Sequence, residues 1–150
     1  IYRVADFDPA VKVIIMCGKG DYFCAGADLA LESSRDGPLL GEPLNKTFAA
    51  VNTSRDLAGR VTLAILACRK VCIAALNGSA VGVGITMTLG MDIRVAAKDA
   101  KIGFVFTRRG LCPEGCSTTL LQKLVGQTKA LDWCLTGRVF EASTTTHDGL

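Results

Sequence analysis

KVCIAALNGSAVGVGITMTLGMDIRVAA, residues 70–97, carries the pattern that decides the fold. Its opening, KVCIAAL (70–76), is a short, nearly continuous apolar run of the kind found in a strand covered on both faces. Asn77-Gly78 is a tight-turn dipeptide. Glycines then give way to an apolar stretch without breakers, which predicts a buried helix from about Gly82 to Leu89. DIRVAA (92–97) reads as another strand. Strand, helix, strand over so few residues is the order of parallel strands in an α/β domain.

The same order extends outward. VKVIIMC (11–17) is β-branched and apolar, a strand expected to be covered on both faces, and GKGDYFCAGADL (18–29) follows it as a glycine-rich loop. Residues 32–43, with two prolines, read as a surface connection. Leu44, Phe48, Val51, Leu57, Val61, Ile65 and Leu66 recur at near-helical spacing, predicting an amphipathic helix over 44–67 that frays near Asn52 to Ser54. Downstream, AKIGFVF (100–106) predicts an extended segment, and helices are expected over 114–124 and 128–135. Residues 1–150 thus read as a single layered α/β domain.

Composition excludes several classes. With 49% hydrophobic residues the chain can bury a real core. The net charge of +3 is spread along the chain, which speaks against a nucleic-acid partner. No apolar run approaches the roughly 18 residues of a membrane-spanning helix. The chain begins at Ile1 in mid-pattern, without a charged and apolar leader, and is expected to be a fragment lacking its native N-terminus and C-terminal helices.

Seven cysteines, at 17, 24, 68, 72, 112, 116 and 134, are odd in number and mostly lie in apolar runs, so buried free thiols in a reducing, intracellular compartment are expected. Cys68 and Cys72, like Cys112 and Cys116, are four apart, and His147 is the only histidine. These spacings predict neither a metal site nor a cysteine nucleophile.

The chemistry points to two glycine-rich turns, CAGADL and NGSAVGVG, each expected at the carboxyl edge of a strand, where α/β proteins hold ligands. GSAVGVG does not have the G-x-G-x-x-G spacing of a dinucleotide site. The turns could serve chain reversal and close packing alone. Together, one N–H from each could meet on a single oxygen, an oxyanion hole with each donor contributing about 3 kcal/mol. A proton carrier is also needed. Glu114 stands between Pro113 and Gly115 at an expected helix start, among Leu111, Cys112 and Cys116, where partial desolvation suits a carboxyl group to proton transfer. The alternative is a first-turn glutamate favoured by the helix dipole.

DYFCAGADL (21–29), KVCIAALNGSAVGVGITMTLGMDIRVAAKDAKIGF (70–104), RRGLCPEGCSTTLLQKLVG (108–126) and ALDWCLTGRVFEA (130–142) resemble, in this order, the enoyl-CoA hydratase/isomerase or crotonase superfamily. The resemblance implies a spiral of ββα units, the ClpP/crotonase fold. It also implies an acyl-CoA thioester substrate, no cofactor beyond that CoA, and a homotrimer or hexamer. The oxyanion-hole donors implied are the backbone N–H groups of Ala27 and of Val83, which stands where glycine is often found. Ala25, Gly26, Ala27, Asp28, Leu29 and Gly82 are implied to bind substrate, with backbone near Ala25 reaching the adenine.

Classical hydratases of the family use two glutamates, and counting along the motifs puts Thr86 and Phe106 at those positions. PEGCS (113–117) is similar instead to the peroxisomal Δ3,Δ2-enoyl-CoA isomerases, whose catalytic glutamate occupies the place of Glu114. The resemblance therefore implies a double-bond shift from 3-enoyl-CoA to 2-enoyl-CoA and a peroxisomal address, with mitochondria or cytosol as alternatives. The rival readings are a hydratase-like lyase acting on a specialised acyl-CoA and a CoA-ester-binding relative without catalysis. An RNA-binding offshoot is disfavoured by the lack of a Lys-rich helix.

Overall fold

The computed structural model describes residues 1–28 and 56–150. The connection at 32–43, the first part of the helix expected over 44–67, and Leu29 lie outside the described residues. The described elements are α1 (Tyr2–Phe7), β1 (Val13–Cys17), β2 (Tyr22–Cys24), α2 (Leu57–Leu66), β3 (Val71–Leu76), β4 (Ser79–Val81) and α3 (Val83–Thr86). A 3-10 turn, Met87–Gly90, leads to β5 (Ile93–Ala96) and β6 (Lys101–Gly103), and a second, Val105–Arg109, follows. Then come α4 (Ser117–Val125), α5 (Gln127–Thr136), β7 (Val139–Glu141) and a 3-10 turn at Ala142–Thr145.

The described strands form two sheets. Strands β1, β3 and β5 are parallel in the order β1-β3-β5. The second sheet has the order β2-β4-β6-β7, parallel except for β7, which runs antiparallel to β6. From β1, β3 and β5 the chain passes to β2, β4 and β6 of the second sheet, and helical segments precede β3, β5 and β7, which gives a spiral of ββα units. Strands β2 and β4 were not foreseen. Each has only three residues, too few to show a period of two.

Two corners are clamped together by Asn77. Its Oδ1 accepts a hydrogen bond from the Gly18 N–H at 2.8 Å, and its Nδ2 donates to the Gly20 carbonyl at 2.8 Å. Beside it, a Cβ on Gly78 would fall 1.9 Å from the Asp21 carbonyl oxygen, so only glycine lets these backbones meet. The clamp sets β2 and β4 side by side.

The core lies between the sheets and under the helices. Strand β3 turns Cys72, Ala74 and Leu76 inward, and α2 contributes Ala58, Thr62 and Ile65 at helical spacing from an N-terminus capped by the Asp56 side chain. Trp133 of α5 is fully enclosed, stacked on Phe104 at 5.9 Å between ring centroids and tilted on Phe140 at 4.6 Å.

Four expectations are corrected. Strands β1 and β3 are not covered on both faces: the outer face of the first sheet, with Val13 against Val71 and Ile15, Ile73 and Ile93 in one row, carries no cover among the described residues, and Ile15 is 63% exposed. A strand apolar on both faces reads the same whether or not something lies over it. Of the seven free cysteines only Cys72 is buried, while Cys17 and Cys112 are exposed. The extended segment expected over 100–106 is a strand only at Lys101–Gly103 and then coils into a 3-10 turn. Helix α4 begins at Ser117, so Glu114 stands in the loop before it and not in its first turn.

Candidate active site

The site grows out of the pairing of β2 with β4. Tyr22 lies opposite Ser79 and Cys24 opposite Ala80, with a register shift between the two, so the parallel strands end together. Their next residues are the two glycine turns, which therefore share one sheet edge. A Cβ on Gly26 would come 3.3 Å from the Val81 carbonyl oxygen, and one on Gly82 would come 3.9 Å from the Gly26 Cα. Both glycines hold positive φ, +102° and +56°, a region closed to most side chains.

Ala27 and Val83 come directly after these glycines. Val83 is the first residue of α3, so its N–H has no carbonyl within that helix to donate to. Ala25, Ala27 and Asp28 are exposed along the rim, whereas Gly82 is buried beneath it. The structure thus brings the 25–28 turn, at Gly26, beside Gly82, the residue before Val83. Leu29, assigned to the same group from the sequence, is outside the described residues.

Glu114 reaches this region through its neighbour. Gly115, at φ +66°, has no room for a side chain: a Cβ there would fall 2.7 Å from Thr86 Oγ1 and 3.1 Å from Thr86 Cβ. Thr86 ends α3, the helix that Val83 begins, and its Oγ1 lies 3.5 Å from the Val83 carbonyl oxygen. The loop is tied from its other side by Ser117, whose Oγ donates to the Glu114 carbonyl at 2.6 Å. Glu114 is half-buried. Cys116, at φ +61°, is the one non-glycine with positive φ among the described residues, and it occupies the N-cap position of α4 without a side-chain capping hydrogen bond. Such a conformation costs an L-residue about 1–2 kcal/mol, so packing and not local preference holds the loop.

Thr86 and Phe106 are both buried, and neither carries an acid. A region with two backbone N–H groups on adjacent turns and one glutamate on a neighbouring loop can bind an oxyanion and move a proton. Among the described residues, no group of three or more His, Cys, Asp or Glu side chains is placed to hold a metal ion. A cavity of about 540 Å³, lined by Leu76, Ile85, Arg94, Lys98 and Ile102 among others, contains none of the expected site residues.

The contact between Thr86 and Gly115 is the part of the site that the sequence did not reveal. Gly115 was visible, but the surface that it meets was not.

Comparison with known proteins agrees with this architecture. The family model described as enoyl-CoA hydratase/isomerase matches residues 2–150. The enoyl-CoA hydratase AFT3-1 of Alternaria alternata is 43% identical over 145 residues, covering 97% of this chain and 45% of that protein. The 1,2-epoxyphenylacetyl-CoA isomerase of Escherichia coli is 33% identical over 138 residues, covering 90% of this chain and 49% of that protein. The crystal structure of an enoyl-CoA hydratase from Bacillus anthracis superposes with a TM-score of 0.79 at 27% identity, over 99% of this chain and 54% of that one. The chain spans about half the length of the curated relatives it matches. It belongs to the enoyl-CoA hydratase/isomerase family, and its two-sheet ββα spiral is the crotonase-like α/β fold.

Proposed function

We propose that this chain is the core of an enzyme that converts a 3-enoyl-CoA to the 2-enoyl-CoA by moving one proton. The Glu114 carboxylate removes a proton from C2 of the bound thioester. The electron pair shifts onto the thioester oxygen, where the N–H groups of Ala27 and Val83 hold it, each contributing about 3 kcal/mol to the barrier reduction. The same carboxyl group then returns the proton to C4 as the double bond forms between C2 and C3. The reaction is redox-neutral, so the only CoA required is that of the substrate. Ala25 to Asp28 and Gly82 lie along the thioester and its nucleotide, and the resemblance assigns Leu29 to the same group.

The observation that carries this reading is the seating of Glu114 beside α3 through Gly115, with Thr86 and Phe106 in place of further acids. A one-base shift needs one carboxyl group, whereas the addition of water by the family's two-glutamate route needs two. A second reading, hydration of a specialised 2-enoyl-CoA, is favoured by the name of the Alternaria relative. Assembly as a trimer or pair of trimers follows from the resemblance to the superfamily, and residence in the peroxisome from the resemblance of PEGCS to the peroxisomal isomerases.

The test uses the complete protein with a 3-enoyl-CoA and, separately, a 2-enoyl-CoA, following the conjugated-thioester absorbance. The isomerase reading expects a rise with the first substrate that Glu114→Gln abolishes. A fall with the second substrate, unaffected by Glu114→Gln, would overturn it.

A further inference from the structure

We propose that Thr86 is a positioning residue for Glu114, acting through Gly115 to fix the distance between the proton carrier and the oxyanion donor at Val83. The inference rests on the reading of Glu114 as the base.

Thr86 is fully buried and belongs to α3, so it moves with Val83. Its Oγ1 meets the Val83 carbonyl at 3.5 Å, at the outer limit of a hydrogen bond, so its shape matters more than its polarity. The same Oγ1, with the Thr86 Cβ, is the floor on which Gly115 sits. There is no slack in that contact, because a Cβ on Gly115 would stand 2.7 Å and 3.1 Å from Thr86 atoms, and 3.5 Å from the Ala58 Cβ of α2. The loop above follows a path that L-residues disfavour, with positive φ at both Gly115 and Cys116. Local preference does not hold it there. Its restraints include the floor below and the ties from the Ser117 hydroxyl and backbone N–H to the Glu114 carbonyl. One side chain therefore lies between the helix that offers the amide and the loop that offers the carboxylate. Its volume sets how far apart they stand. A catalytic group displaced by about an ångström can lose on the order of a hundredfold in rate.

The experiment measures 3-enoyl-CoA turnover by the complete protein and its variants Thr86→Ala, Thr86→Val, Glu114→Asp and the pair Glu114→Asp with Thr86→Ala. Thermal midpoints are recorded alongside. Thr86→Ala is expected to lower kcat by about tenfold or more while KM stays within about twofold. Thr86→Val, which keeps the shape and removes the hydroxyl, is expected to restore most of kcat. Glu114→Asp already shortens the reach of the carboxylate, so adding Thr86→Ala to it is expected to cost much less than the product of the single losses.

A Thr86→Ala enzyme with unchanged kcat would overturn the proposal. So would losses that simply multiply, or a loss that tracks the thermal midpoint and is not rescued by valine. If Glu114→Gln itself retains full turnover, the base reading fails and this inference fails with it. If Glu114→Gln is inactive and the Thr86 variants are unimpaired, only the positioning role is lost.

Discussion

Gly84 lies so close to Cys24 that a Cβ on it would fall 2.3 Å from the Cys24 carbonyl oxygen and 2.8 Å from the Cys24 Cβ. This contact docks α3 on the end of β2, and with it the Val83 amide on the turn that carries Ala27. Gly84→Ala is therefore expected to destabilise the protein by about 1–3 kcal/mol, the usual cost of overpacking a closed contact. On the proposed reading, turnover by the complete protein should fall further than stability alone explains, because one proposed oxyanion donor is displaced from the other. Denaturant unfolding together with kcat on a 3-enoyl-CoA checks both parts. Wild-type stability in the alanine variant would mean that the docking is loose.

The Asn77 clamp makes a second prediction. Asn77→Ala removes the hydrogen bonds to the Gly18 N–H and the Gly20 carbonyl, both at exposed positions where water can replace them in part. Each net bond is worth about 0.5–1.5 kcal/mol, so a loss of about 1–2 kcal/mol is expected. Asn77→Asp keeps the acceptor for Gly18 and loses the donor to Gly20, and should fall between alanine and wild type. A variant series read by thermal midpoint tests that order.

Trp133 anchors the helical side of the core. It packs on Phe104 from the 3-10 entry and on Phe140 of β7, with 1% of its surface exposed. Trp133→Ala is expected to cost about 3–5 kcal/mol, enough to unfold a domain of ordinary stability, and Trp133→Phe distinctly less. Since the chain has only one tryptophan, its fluorescence reports the unfolding of the wild-type protein directly.

The sequence made the first sheet legible and the second one largely invisible. Strands β1, β3 and β5 announce themselves through four to six mostly apolar residues each. Strands β2 and β4 have three residues each, beside glycines, and exist because Asn77 and the parallel pairing hold them. Tertiary contacts of that kind leave no periodic trace. The candidate site divides in the same way. Its glycines and its lone glutamate stand out by residue type, while the meeting of Gly26 with Gly82 and of Gly115 with Thr86 depends on strand ends and left-handed turns far apart in sequence. The exposure of Cys17 does not show in the sequence, because an apolar run marks a strand without saying which of its faces is covered.

Asp6 gives the fold a dependence on acidity. Its carboxylate accepts from the Arg69 backbone N–H at 2.8 Å and from Arg69 Nε at 3.1–3.2 Å, tying α1 to the segment between α2 and β3. The backbone N–H of Arg69, followed by the side chain and charge of the same residue, holds this carboxyl below its ordinary value of 3.8. A carboxyl group with a depressed folded-state pKa stabilises the fold above its unfolded value, and that contribution is lost as pH falls through the folded one. Stability should therefore decline from about pH 4 downward, with α1 loosening first because Asp6 is its main polar tether. Asp6→Asn cannot carry the charge: it should be less stable than wild type at neutral pH and show a shallower decline in acid. Urea midpoints from pH 2 to 6 for both proteins test this, and parallel acid limbs would show that Asp6 does not couple protonation to folding.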